Sequence, residues 1–373
     1  MKPFVLFMLL TALLIPSAAR AEDAGKEEVV RFLNQLYASR AQSLLHAEPR
    51  PISPFYIAAE KTSRYALHHE LRRTEYMHAW AERRNIEFVH AGSEIHITQF
   101  KRQADRIKLS LTQSLKLSYV YKNGAREPQH FGVGTRHTLT LKQLDGQWYV
   151  LKEWYSDPLE EDPKLIPTWL HAQDHVRIPM PLAYPASASR PVKYDRAKAV
   201  RYADKYAGLA WGAGNGHKYN SKYKDYSGRG GDCTNFSSQI VGDPHEGAGL
   251  RMTPTWFYSR NEGGSTAWIR TDSFKNYLLY QGHGALIRRG KYVDIMKSSS
   301  RFPKGAFAEM KPGDFVGYEL KQGDIDHFSI IVGFDANGYP LVNSHSADRY
   351  HVPWDLGWDK STVFWLIHMR DHS

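Results

Sequence analysis

One of the 373 residues is a cysteine, Cys233, and it stands in the stretch GRGGDCTNFSSQ, residues 228–239. A thiol reacts as its thiolate, which is favoured at a helix N-terminus or beside an imidazolium. Gly230 and Gly231 permit positive backbone φ and place no side chain over the sulfur, so a substrate can approach. Cys233 then opens a helix whose Phe236 and Ile240 point inward, and the free amides of that helix start suit an oxyanion formed on attack at a carbonyl. This chemistry is acyl transfer through a covalent thioester. The competing reading of a lone cysteine is a small buried apolar side chain.

A thiol nucleophile needs a base. His327 lies in DHFSIIVGF, residues 326–334. Phe328, Ile330 and Val332 alternate as the buried face of a strand and leave His327 on the other face with Ser329 and Ile331. A packed strand is a rigid mount for an imidazole. Several neighbours read instead as scaffold: Asp232 and Asn235 hold the turn and helix start, Asp314 fixes a strand entry, and Trp256, Trp268, Trp354 and Trp358 fill the core. Gln239 is too far along its helix to supply an oxyanion donor.

Five segments carry a family resemblance: GGDCTNFSSQ, the run from Asn220 to Cys233, KPGDFVGYE at 311–319, DHFSIIVGFD at 326–335 and SHSADR at 344–349. In this order they resemble the amidase domain of exported bacterial proteins, a family of papain-like cysteine hydrolases related to the CHAP and NlpC types. The resemblance covers about residues 194–370. It implies Cys233 as nucleophile, His327 as general base and a helix-borne cysteine packed on an antiparallel sheet that carries the histidine. It also suggests His345 as the third member that steadies the imidazole, with Asn343 and Asp348 as alternatives. Strand register decides among them: a two-residue turn at Asn337-Gly338 sets His327 opposite Asp348, whereas a three-residue loop brings Asn343 and His345 to the histidine's face.

The elements that must hold these groups are legible as patterns. Asp195 caps a helix in which Ala199, Val200, Tyr202, Ala203 and Tyr206 keep helical spacing. A further helix runs from Asp272 through Tyr280, and strands are expected at 314–319, 326–334, 340–345 and 362–368. The N-terminal part has a different pattern. Val30, Phe32, Leu33, Leu36 and Tyr37 form one helical stripe, and Tyr65, Leu67, Leu71, Tyr76 and Trp80 a second. After Phe88 the period changes to two, through Ile95 and Ile97, Ile107 to Leu111, Thr135 to Leu141, and Trp148 to Trp154 after an Asp145-Gly146 turn. Helices followed by antiparallel strands make an α+β unit. Over residues 25–157 this order resembles the cone-shaped nuclear-transport-factor-like (NTF2-like) fold. His68, His69 and Glu70 read as a solvated helix face rather than a metal site.

The expected division is a signal peptide at 1–21, an N-terminal α+β domain at 22–160, a Pro-rich linker at 161–191 and a papain-like amidase domain at 192–373. Lys2, the apolar run from Phe4 to Ile15, and Ala19 and Ala21 make the leader pattern, with cleavage after Ala21. Twelve apolar residues are too few to span a bilayer, so no transmembrane segment is expected after cleavage. His171 and His175 have i, i+4 spacing, yet no glutamate follows His171 as the zinc-protease motif requires. Neither a metal nor an organic cofactor is expected.

The net charge of +10, from 49 basic and 39 acidic residues, suits an anionic bacterial envelope, and export argues against nucleic acid. The function expected is an exported or envelope-associated cysteine amidase or peptidase acting on peptide or peptidoglycan-type substrates. The rivals are a non-catalytic envelope-binding protein with a hydrolase-like domain, and an acyltransferase using the same Cys/His pair.

Overall fold

The computed structural model describes residues 17–45, 51–123, 127–159, 162–168, 194–321 and 323–371. Helices α1 (Ser17–Gln42) and α2 (Lys61–Arg83) precede four long strands, β1 (Ile86–Gln103), β2 (Arg106–Tyr121), β3 (Gln129–Leu144) and β4 (Gln147–Tyr155). Strands β3 and β4 meet at Leu144 and Gln147 across Asp145 and Gly146, both at positive φ, as an Asp-Gly hairpin requires. The C-terminal half begins with α3 (Arg196–Lys205) and α4 (Cys233–Gly242), and continues through short strands β5 (Tyr258–Ser259) and β6 (Gly263–Gly264). After α5 (Thr266–Ile269) and α6 (Thr271–Tyr280) come β7 (Gly284–Lys291), α7 (Tyr292–Met296), β8 (Phe315–Lys321), β9 (Asp324–Phe334), β10 (Pro340–Ser344), β11 (Asp348–Pro353) and β12 (Val363–Met369). The fold is mixed helix and antiparallel sheet, as the α+β reading expects.

The two halves share one sheet. Its order is β1-β2-β3-β11-β10-β9-β8-β12-β7, with β4 also on β3. The join is the antiparallel pairing of β11 with β3, where Asp348, Arg349 and Tyr350 face Gly134, Val133 and Gly132. Sequence periodicity shows neither this pairing nor β11 itself, because β11's partner lies about two hundred residues upstream. Val352 and Leu356 pack into the same apolar cluster as Trp80, Phe88 and Phe131, so the join has a core of its own. Within the expected 161–191 linker, residues 162–168 are described: Ile166 is buried in that cluster, and the Lys360 N–H donates to the Leu165 carbonyl. His171 and His175 lie outside the described residues, as do residues 1–16 of the expected leader. No described helix is long and apolar enough to cross a membrane.

The α1 stripe packs as its spacing predicts, Leu33, Leu36 and Tyr37 lying against Leu109, Leu139 and Val150. The α2 stripe packs only in part, with Tyr76 and Trp80 buried and Leu67 half-buried. Tyr65 and Leu71 are exposed at 73% and 44%, and Glu70, expected on a solvated face, is buried. The reason is an ionic cluster beneath the helix. Arg40 pairs with Glu153 and lies 3.5 Å from Glu70, Tyr155 donates to Glu70 at 2.6 Å, and His137 Nδ1 lies 2.8 Å from Glu153. Burial raises the Glu153 carboxyl, but Arg40 and the His137 hydrogen bond outweigh it and hold the group well below the usual carboxylate range. Removing one partner of such a pair strands a buried charge, so Glu153→Gln is expected to cost about 3–5 kcal/mol in denaturant unfolding. A loss below about 1 kcal/mol would show that the cluster is not charged as described.

Candidate active site

The chain enters α4 through Gly230 and Gly231, at φ 101° and 119°. A Cβ on Gly230 would meet nothing within 4 Å, so only its positive φ asks for glycine there. Asp232, fully buried, does not cap the helix with its side chain but looks back into the turn. Its Oδ1 accepts from the Tyr226 N–H and from Asn235 Nδ2, each at 2.9 Å, and its own N–H donates to Ser346 Oγ at 2.6 Å. Asn235 also bonds the Lys224 carbonyl and accepts from Trp268 Nε1. Both residues therefore hold the helix start, the scaffold role their types suggested.

Helix α4 packs on β9 through Phe236 and Ile240 against Phe328, Ile330 and Val332. Cys233 is 7% exposed. The Phe328 backbone N–H points at its sulfur, and Thr234 adds a side-chain contact at 3.8 Å. That N–H lies beyond the last β9–β10 pair, Ile330 with Asn343, so the thiol takes a donor on the strand edge that β10 leaves open. Burial pushes the thiol pKa up, and the Asp232 charge adds to it; the Phe328 and Thr234 donors offset this in part.

His327 is the residue next to that donor in β9, and no hydrogen bond joins its ring to the Cys233 sulfur among the described residues. The imidazole is also 7% exposed and packs beside the stacked pair of Tyr318 and Trp358, at ring-centroid distances of 5.6 and 5.4 Å. Ile331, two strand positions beyond Ser329 on the same face, packs with Tyr318 rather than with α4. His327 Nε2 is buried without a hydrogen bond among the described residues. Burial first, then the charges of Arg349 and His345, push its pKa down to about 3. Both shifts favour the neutral forms, a protonated thiol and an unprotonated imidazole.

No candidate for the third position hydrogen-bonds His327. The loop from β9 to β10 has the three-residue form, closed by the Asp335 N–H on the Tyr339 carbonyl. A bulge then intervenes: Leu341 faces Gly333 but Val342 faces Ile331, which leaves Val332 unmatched. This slip of one residue turns everything beyond it to the opposite face. Asn343 and His345 consequently point to the α3–α4 side. Asn343 donates to Asp204 at 2.9 Å and accepts the His351 N–H at 2.7 Å. His345 bonds Asp232 Oδ2 through Nδ1 at 2.7 Å and the Tyr206 carbonyl through Nε2 at 2.6 Å, so both ring nitrogens are occupied by acceptors. Its ring is stacked between Tyr219 and Phe236, each at 3.7 Å. Asp348 accepts from Tyr219 at 2.5 Å and from the Leu209 N–H at 2.8 Å.

The other residues fall where their types place them. Asp314 receives the Met369 N–H and Arg196, fixing the entry to β8. Trp256, Trp268 and Trp354 are fully buried. Gln239 accepts from Tyr202 inside the helical layer. Tyr219 reaches the surroundings of the site from a loop with no local pattern of its own, Arg349 closes the SHSADR segment on β11, and Trp358 is half-buried beside His327. Among the described residues no group of three or more His, Cys, Asp or Glu side chains is placed to hold a metal ion.

Residues 193–367 match a family model described as "Putative amidase domain", which supports amidase activity for this part of the chain. No curated protein matches the chain. Among solved structures, one similar chain is titled "Structure of a periplasmic fragment of TraM"; it is 10% identical and covers 35% of this chain and 97% of its own, at a TM-score of 0.26. A likeness of that degree carries no argument about fold or function.

Proposed function

We propose that the C-terminal half hydrolyses amide bonds with Cys233 as nucleophile and His327 as general base, and that its substrates are peptide amides of the bacterial cell wall. The observation that carries the reading is the sole thiol of the chain at the first residue of α4, bonded by the backbone N–H adjacent to His327, inside a segment that matches an amidase family. In the first half-reaction His327 takes the thiol proton and the sulfur attacks the carbonyl carbon. The α4 N-terminal amides face the oxyanion. Collapse breaks the C–N bond, the imidazolium returns the proton to the leaving amine, and a thioester remains. Water, deprotonated by the same imidazole, then releases the acid and restores the thiol. His345 serves as a positioning residue in this scheme, holding the turn before Cys233 through Asp232.

The basic balance of the chain, 49 basic against 39 acidic residues, favours anionic wall polymers, which supports the substrate class. Incubating the purified protein with isolated peptidoglycan is expected to release new amino groups, together with shortened stem peptides or free peptide. Cleavage of simple peptide amides with no attack on peptidoglycan would keep the chemistry and overturn the substrate.

A further inference from the structure

We infer that the N-terminal half is a working part of the proposed active site: Arg136 on β3 positions the Cys233 turn through Tyr219, Asp348 and His345. This inference rests on reading Cys233 as the nucleophile. The path is continuous. Arg136 Nη2 donates to the Tyr219 hydroxyl at 3.1 Å, its guanidinium carbon lies 5.4 Å from the centre of that ring, and Nη2 is 3.5 Å from Asp348 Oδ2. Tyr219 donates to Asp348 and stacks on His345, which bonds Asp232, the residue before the nucleophile. Ser346, next to His345, accepts the Asp232 N–H.

A second set of contacts supports the same dependence. The loop Leu209–Trp211, anchored by Asp348 through the Leu209 N–H, lies directly on β3 at Gly132 and Gly134. A Cβ on Gly132 would stand 2.1 Å from the Trp211 carbonyl oxygen, and one on Gly134 2.5 Å from Leu209 Cβ. Lys116 on β2 covers the Trp211 ring at 4.1 Å. On the imidazole side, Arg349 donates to the Pro158 carbonyl just beyond β4, and its guanidinium lies 5.6 Å from the Trp358 ring that packs on His327. Arg349 Nε has no hydrogen-bond partner among the described residues, and the guanidinium charge lowers the His327 pKa, with Asp157 and Asp355 offsetting that charge from a distance. Both halves of the dyad are thus backed by residues held from the N-terminal half. Arg136 is the most accessible link, its side chain 41% exposed, so its loss does not open a core.

The test uses the full chain with Arg136→Ala and Arg136→Lys. The sole cysteine makes iodoacetamide a direct probe of the site, read as rate against pH, alongside kcat and KM for a peptide amide and the melting temperature. Arg136→Ala is expected to lower kcat about tenfold with KM changed less than about twofold, and to slow labelling at pH 7.5 by about threefold with its profile moved to higher pH. Arg136→Lys, which keeps a cation beside Asp348 and Tyr219, is expected to recover most of both losses. Unchanged labelling and kcat in Arg136→Ala overturn the inference, whether or not the melting temperature falls. Retained hydrolysis in Cys233→Ala would defeat the functional reading instead, and the labelling comparison would still decide the positioning claim.

Discussion

Cys233→Ala is expected to lose amide hydrolysis by roughly a thousandfold or more and to lose iodoacetamide labelling at the same time. The double loss is informative because the chain has no other thiol to take up label. Cys233→Ser should be nearly as inactive, since a hydroxyl at this site has only a neutral imidazole to draw its proton. The wild-type labelling profile carries a further expectation. Burial and the Asp232 charge hold the thiol above its ordinary range, so labelling without substrate should be slow near pH 7 and climb above about pH 8.5. A rate that stays flat down to pH 5 would mean a resting thiolate–imidazolium pair, contrary to the neutral pair described.

His327→Gln should reduce kcat by about 10²–10⁴-fold, the usual worth of a positioned general base. It also has a stability signature that a solvent-exposed histidine lacks. The folded-state pKa lies at about 3 against an unfolded value of about 6.5. Stability from this group is therefore fully present above pH 6.5 and is lost as pH falls towards 3, because the unfolded chain binds the proton first. Between pH 6.5 and 4 the loss amounts to at most about 3 kcal/mol. Urea unfolding of wild type and His327→Gln across that range should diverge, with the wild type falling more steeply as pH drops. Parallel curves would show that the imidazole is protonated in the folded protein well above pH 3, and the electrostatic description of the site would fail.

Much of the frame is legible from local patterns because local physics determines it. Alternation of Phe328, Ile330 and Val332 places β9 and its α4-facing side, and the Gly-Gly approach marks the start of α4. The Asp145-Gly146 turn and the inward face of α1 follow in the same way. What local pattern misses has a physical cause in each instance. A single unmatched residue, Val332, reverses the faces of Asn343 and His345, and nothing in the spacing of the hairpin announces a bulge. Glu70 turns inward on α2 because it finds Arg40 and Tyr155, partners distant in sequence that remove the cost of burying its charge. The pairing of β11 with β3 depends on a long-range encounter, and with it the route from Arg136 to the nucleophile.

These corrections narrow the account of the site. His345 makes no hydrogen bond to His327; its partners are Asp232, the residue before the thiol, and the Tyr206 carbonyl. The imidazole is held by aromatic packing against Tyr318 and Trp358, and burial, with the Arg349 charge adding to it, keeps it unprotonated. Such a dyad gains charge separation only when the thiol proton moves, so the barrier depends on how well the oxyanion is met by the start of α4.

The central claim is that an acyl group passes through the Cys233 sulfur. Rapid mixing of the protein with stem peptides from peptidoglycan, acid quench within the first turnovers and intact-mass analysis test it most directly. The account predicts a transient mass gain equal to the acyl fragment, carried on the proteolytic peptide that contains Cys233 and absent from Cys233→Ala. Sustained amide hydrolysis by Cys233→Ala would contradict it.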